Sequence, residues 1–213
     1  MDYSLMIAPF DFGGHNRIAA RQFFDNYAFF ELTAKQAKQY FEWYMDEISH
    51  RITLLWNCMH QDCPEIKEFD YSPESLIPVW EWYKTKIKQI PKTQKEIEED
   101  VSKFPKWIES EIRKESMKYA TETLSFALDI SIYLGEIVVR NYSHLQWGYR
   151  TRPKNEFSAN RPVILGLNGK RKYFNPSRIT FVLMAKFGEG NQADSLYNLY
   201  RYWESEYFIP SKP

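Results

Sequence analysis

Four polar residues in an otherwise apolar stretch are the first place in this chain to look for chemistry. Between Thr121 and Trp147, in TETLSFALDISIYLGEIVVRNYSHLQW, Asp129, Tyr133, Glu136 and Arg140 follow one another at steps of four, three and four residues. On a helix that spacing lines them along one narrow stripe. Two carboxylates held in different environments can divide the work of general acid and general base between them. Seven residues of helix set Asp129 and Glu136 roughly 10 Å apart along the axis, close to the upper limit for carboxylates acting across a bond with water between them. The plainer expectation is that Glu136 and Arg140 form an ordinary helical ion pair, while Asp129 and Tyr133 reach solvent.

A second group suits binding rather than catalysis. Trp147 and Tyr149 lead into GYRTRPKNEFSANRP, Gly148 to Pro162, which carries Arg150, Arg152, Lys154 and Arg161. Aromatic anchors beside arginines dominate the energetics of protein interfaces, and a guanidinium fits a carboxylate with two parallel bonds. The same side chains can hold phosphate or nucleic acid. Against that, Glu156 sits among them, and the chain balances 28 Lys and Arg with 28 Asp and Glu. No global field draws in a polyanion or an anionic membrane. The expected partner of Trp147, Tyr149, Arg150, Arg152 and Arg161 is another protein.

The third group is Cys58, His60 and Cys63, half of a metal site by spacing. A tetrahedral centre needs a complementary pair, and the remaining histidines, His15, His50 and His144, are widely scattered. Two reduced thiols, no metal and no cofactor are the expectation. A nucleophilic cysteine would require His50 or His60 as its base. Phosphate loops, the Gly-x-Ser-x-Gly elbow and the His-Glu-x-x-His pair are absent from the sequence.

The elements that must position these groups can be read from periodicity. The stretch from Thr121 is apolar around most of a helix, through Leu124, Phe126, Ala127, Leu128, Ile130, Leu134, Ile137 and Val138, and such a helix belongs in the middle of a domain. Gly135 costs roughly 1 kcal/mol against Ala inside a helix, which predicts close approach of another backbone. Thr33 with Gln36 forms a capping box. Ala37, Phe41, Tyr44, Ile48, Ile52 and Leu55 continue it as the core stripe of a helix to about Trp56. A turn is expected at Pro73 to Ile77, with a helix restarting near Pro78 and ending at Pro91. Lys92 to Lys118 mixes acids and bases and reads as solvated helix around Pro105, fastened by Trp107, Ile108 and Ile112.

Beyond the central helix the period shortens. Leu145 to Tyr149, Pro162 to Leu167 and Lys170 to Phe174 read as short strands, and Asn168-Gly169 predicts an antiparallel hairpin between the last two. The Gly148 to Pro162 connection is long enough to suggest a functional loop. Asn175-Pro176 opens a helix to about Phe187, and Leu196, Leu199, Tyr200, Trp203 and Tyr207 give a final one its apolar face. At the other end, Tyr3 to Phe12 reads as extended before the Gly13-Gly14 turn, and Asn16 to Phe30 as a short helix. The whole predicts one α+β domain over 1–213, helical in 15–142, with a small antiparallel sheet and closing helices in 143–213. The N-terminus lacks a basic segment ahead of an apolar run, and no apolar run reaches roughly 18 residues. A cytoplasmic protein without membrane association is expected.

Several segments carry a resemblance. FDF near the start, AKQYFEWYMDEISHRI, FDYSPESLIP, DISIYLGEIVVRN, LQWGYRTRPKNEFSANRPVILG and NPSRI together resemble a family of uncharacterised small bacterial proteins, helical first and with a short sheet later. The pattern LGE followed by a strand Trp is similar to that of compact bacterial domains, some of which neighbour toxin and immunity genes. The resemblance implies an immunity-like or regulatory binding protein. It brings no catalytic signature, and likeness of fold does not establish function.

Overall fold

Thr33 starts the first long helix by satisfying its free N–H groups. In the computed structural model, which describes residues 29, 32–154, 156–168, 173–188, 190 and 195–209, its Oγ1 accepts the Gln36 N–H at 3.2 Å while Gln36 Oε1 accepts the Thr33 N–H at 3.0 Å. This helix, α1, spans Ala34–Asp62 and buries Ala37, Tyr44, Ile48, Ile52 and Leu55. It runs past the expected end at Trp56 because Met59 continues the buried face. The expected segments Tyr3 to Phe12 and Asn16 to Phe30, Phe29 excepted, lie outside the described residues.

After a 3₁₀ turn at Pro73–Ser75, helix α2 covers Leu76–Lys86. Pro78 falls inside its first turn, where an N–H has no helical partner to lose, so the helix begins before the proline rather than at it. Its end is earlier than expected. Gln89–Pro91 leaves the helix to become strand β1, paired antiparallel with β2, Met117–Tyr119. Between the strands lie α3, Gln94–Val101, a 3₁₀ turn at Lys106–Ile108, and α4, Glu109–Lys114. The helical character expected around Pro105 is present, but its fastening is not as expected. Trp107 is 81% exposed, and the ribbon of β1 and β2 ties this segment to the rest.

The central helix, α5, spans Thr121–Asn141 and buries residues on every side. It packs against α1 and α2 and, most extensively, against α6, Pro176–Gly188. Asn175 starts α6 by accepting the Arg178 N–H at 3.0 Å. Strands β3, Gln146–Tyr149, and β4, Pro162–Leu165, pair antiparallel with Trp147 opposite Ile164. The sequence pattern predicted the second and third short strands as antiparallel partners; that pairing is seen as one bridge between Ile164 and Phe174, and β4 also pairs with the first strand, β3. Residues 169–172 lie outside the described set. Helix α7, Leu196–Trp203, continues into a π turn at Glu204–Phe208. There Phe208 meets the rings of Phe174 at 5.2 Å and Tyr142 at 5.7 Å. The architecture is α+β and mostly helical, wrapped around α5.

Candidate functional site

The polar stripe of α5 exists as a stripe, yet each member is bonded to a different neighbour. Asp129 is 0% exposed and accepts a hydrogen bond from Arg51 Nε of α1 at 2.6 Å. Burial works against both charges, lifting the Asp129 carboxyl well above its ordinary value and lowering Arg51 to about 10. Their contact opposes both shifts, since each ion stabilises the charged form of the other. Tyr133 is also fully buried. Its hydroxyl lies 2.7 Å from Ser75 Oγ and accepts the Tyr71 N–H at 3.3 Å, and burial pushes it up to about 12. The expectation that Asp129 and Tyr133 reach solvent is therefore corrected: α5 is enclosed by α1 and by the approach to α2, so both groups find partners inside the protein.

Glu136 and Arg140 form the expected ion pair at 3.1 Å. Glu136 uses its other oxygen to accept the Trp147 Nε1–H at 2.9 Å, and the Arg140 guanidinium lies 3.7 Å from the centroid of the Tyr71 ring. The Glu136 carboxylate thus faces β3 while that of Asp129 faces α1. Both are committed to bonds within the fold, Asp129 to Arg51 and Glu136 to Arg140 and Trp147.

Trp147 explains Gly135. A Cβ on residue 135 would stand 2.1 Å from Trp147 Cζ2, so the glycine admits an indole ring where the sequence suggested a backbone. The ring also meets Tyr44 at 5.4 Å in an edge arrangement. Trp147 is therefore a packing residue between β3, α1 and α5, which corrects its expected place in a partner-binding surface. Arg161 requires the same correction. It is 3% exposed, with its guanidinium 3.9 Å from the Phe29 ring centroid and 4.6 Å from that of Phe157, and it donates to the Phe157 carbonyl at 3.0 Å. Two aromatic faces shelter this cation from water. Tyr149 is half-buried, its ring 5.1 Å from that of Phe41.

What stays at the surface is the end of the β3–β4 hairpin. Arg150 reaches Glu156 at 3.4 Å and lies over the Tyr173 ring at 5.0 Å. Arg152 and Lys154 are exposed. Arg150, Arg152, Pro153 and Lys154 line an open concavity of about 570 Å³. The hairpin beneath it is firmly held, because Asn160 donates its backbone N–H to Arg150 O at 2.7 Å and its side-chain amide to Phe29 O at 2.6 Å. The long polar connection is thus a braced platform rather than a structureless loop.

Cys58 and Cys63 are free, half-buried thiols, both raised by burial. His60 places Nδ1 2.9 Å from the Ile66 carbonyl and stacks on Trp56 at 4.8 Å. Among the described residues no group of three His, Cys, Asp or Glu side chains is placed to hold a metal ion. Nor is any described helix long and apolar enough to cross a membrane.

Sequence reasoning missed Arg51 and the nearby Tyr40. Arg51 stands in the core stripe of α1, three residues after Ile48 and four before Leu55. A cation at such a position calls for an internal anion, and that signal was available. Tyr40 lies close enough to both Arg51 and Arg161 to feel their charge, while burial raises its hydroxyl. The chain matches no protein-family model, no curated protein and no solved structure.

Proposed function

We propose that this chain is a protein-binding module whose contact surface is the end of the β3–β4 hairpin. Arg150, Arg152 and Lys154 there receive carboxylates of an acidic protein partner. One observation carries the reading: a braced hairpin presents an open concavity lined by Arg150, Arg152, Pro153 and Lys154. Most of the other charged groups singled out from the sequence are spent on bonds inside the fold. Planar guanidinium donors on a rigid support suit carboxylates, because little freedom is lost when the bonds form. Neutralisation of a toxin, the immunity-like role implied by the resemblance, is the particular form of binding proposed.

Arg152→Ala with Lys154→Ala tests this, since both side chains are exposed and the fold should keep its unfolding midpoint. Wild-type and variant protein, immobilised in parallel, are expected to differ in what they retain from a lysate of the source cell. A protein held by the wild type should be lost, or held with roughly tenfold weaker affinity, by the variant. Equal retention by a stably folded variant removes the hairpin end from the interface.

A further inference from the structure

The segment from Gln89 to Tyr119 is an arm. None of its residues is buried, and α3 and α4 pack chiefly on each other. Its base is fixed to α6, where Tyr119 Oη donates to Ala185 O at 3.3 Å and Gln89 Nε2 donates to Gly188 O at 3.3 Å. At the turn between α3 and α4 the sequence SKFPKW exposes Phe104 by 49% and Trp107 by 81%. No carboxylate lies between Asp100 and Glu109. The acids on the two helices are held by the arm's own bases, Glu98 and Glu109 by Arg113, Asp100 by Lys92 and Lys103, Glu111 by Lys114. Asp100 is shared between Lys92 and Lys103 and Lys106 has no ion pair among the described residues, so the turn keeps a net positive charge from Lys103 and Lys106.

We propose that this tip is a peripheral contact for an anionic lipid surface. Trp107 and Phe104 enter the headgroup layer, and Lys106 and Lys103 meet the lipid phosphates. Charge selects the occupant: a second copy would set tip lysines against tip lysines, whereas anionic headgroups complement them. Size points the same way. Two rings offer about 150–250 Å² each, well below the roughly 800 Å² per partner of a standard protein interface. A lipid interface needs no matching shape, and tryptophan, with an apolar body and one polar N–H, settles at that boundary. Attachment through so small a tip is weak and reversible. The overall charge balance, which argued against an anionic membrane, averages away this local patch.

The experiment is cosedimentation of the full chain with phosphatidylcholine vesicles, with and without phosphatidylglycerol. Wild-type protein should pellet with the anionic vesicles, less so as salt is raised. Phe104→Ala with Trp107→Ala should weaken partitioning about tenfold or more at an unchanged unfolding midpoint, since both rings are exposed. Lys103→Gln with Lys106→Gln should remove most of the preference for anionic over neutral vesicles, about fivefold per lysine. Absence of wild-type pelleting above a lipid-free control overturns the proposal, as does equal pelleting of the aromatic double variant. Trp107-dependent self-association in sedimentation velocity, without vesicle binding, assigns the tip to a second copy instead and overturns it equally.

Discussion

Replacing Gly135 by alanine sets two physical effects in direct opposition, and the sign of the result decides between them. Helix propensity alone favours alanine by about 1 kcal/mol, so a Gly135 facing open space would yield a more stable protein. The structure places Trp147 Cζ2 and Cη2 only 2.1 and 2.3 Å from where the new Cβ must stand. Neither partner can yield cheaply. The glycine sits in the middle of α5, and the indole is held by its bond to Glu136 and by the edge contact with Tyr44. Overpacking of this kind costs roughly 1–3 kcal/mol, and a displaced indole also loses a hydrogen bond to a charged group, itself worth about 1.5–3 kcal/mol. With the propensity gain set against these, Gly135→Ala should destabilise by roughly 2 kcal/mol. In a chain of this length that lowers the melting temperature by about 4–8 °C. Urea unfolding of four proteins completes the test: wild type, Gly135→Ala, Trp147→Ala and the double variant. Once the ring is removed, the alanine should become stabilising, so the coupling between the two sites should be large. A stabilising Gly135→Ala in the wild-type background refutes the packing described here.

Asp129→Asn leaves the Arg51 charge buried without its counter-ion and should cost about 3–5 kcal/mol, while Arg51→Met with Asp129→Leu should recover most of that loss; urea midpoints report both. Arg161→Ala should lower stability by about 2 kcal/mol or more, through lost ring stacking and packing, and should leave partner retention on the hairpin end unchanged once folded protein is compared. Lys118, followed by the Thr93 N–H, holds Glu96 down at about 2 from an ordinary 4.5. Because the folded value is the lower one, the unfolded arm takes up the proton first. The contribution of Glu96 is complete above pH 4.5 and fades as pH falls towards 2. The protection of α3 amides, taken relative to the intrinsic exchange rate at each pH, should fall over that window, and Glu96→Gln should abolish the dependence.

Local signals explain which elements could be read directly. The capping box at Thr33, the apolar stripe of α1, the Asn175-Pro176 start of α6 and the all-round apolar surface of α5 depend on neighbours within a few residues. The ribbon of β1 and β2 has no such signal. Each strand is three residues long, their partners are separated by the whole arm, and neither buries a face that would impose alternation. Trp107 misled for a related reason. Apolar side chains fill cores, but much of any protein surface is apolar too, so residue type alone did not tell whether that ring fastened the arm or projected from it.

The meaning of the polar stripe depended on partners too distant for any local pattern. Asp129 is an isolated charge on an apolar helical face with no opposite charge one turn away, and Arg51, although Glu47 lies one turn before it, stands in the apolar stripe of α1. Two such charges of opposite sign imply each other, because an unpaired buried ion costs more than the fold can spare. Glu136 seemed complete with Arg140 at the next turn, yet a carboxylate has two oxygens, and the second fixes Trp147 over Gly135. The stripe is therefore a seam that joins α5 to α1, to the approach to α2 and to β3. That reassignment is also what directs function elsewhere. Arg152 and Lys154 form no ion pair among the described residues and stand exposed on a hairpin whose supporting groups are bonded beneath them. On the proposed reading these two cations, unpaired among the described residues, are the ones offered to a partner.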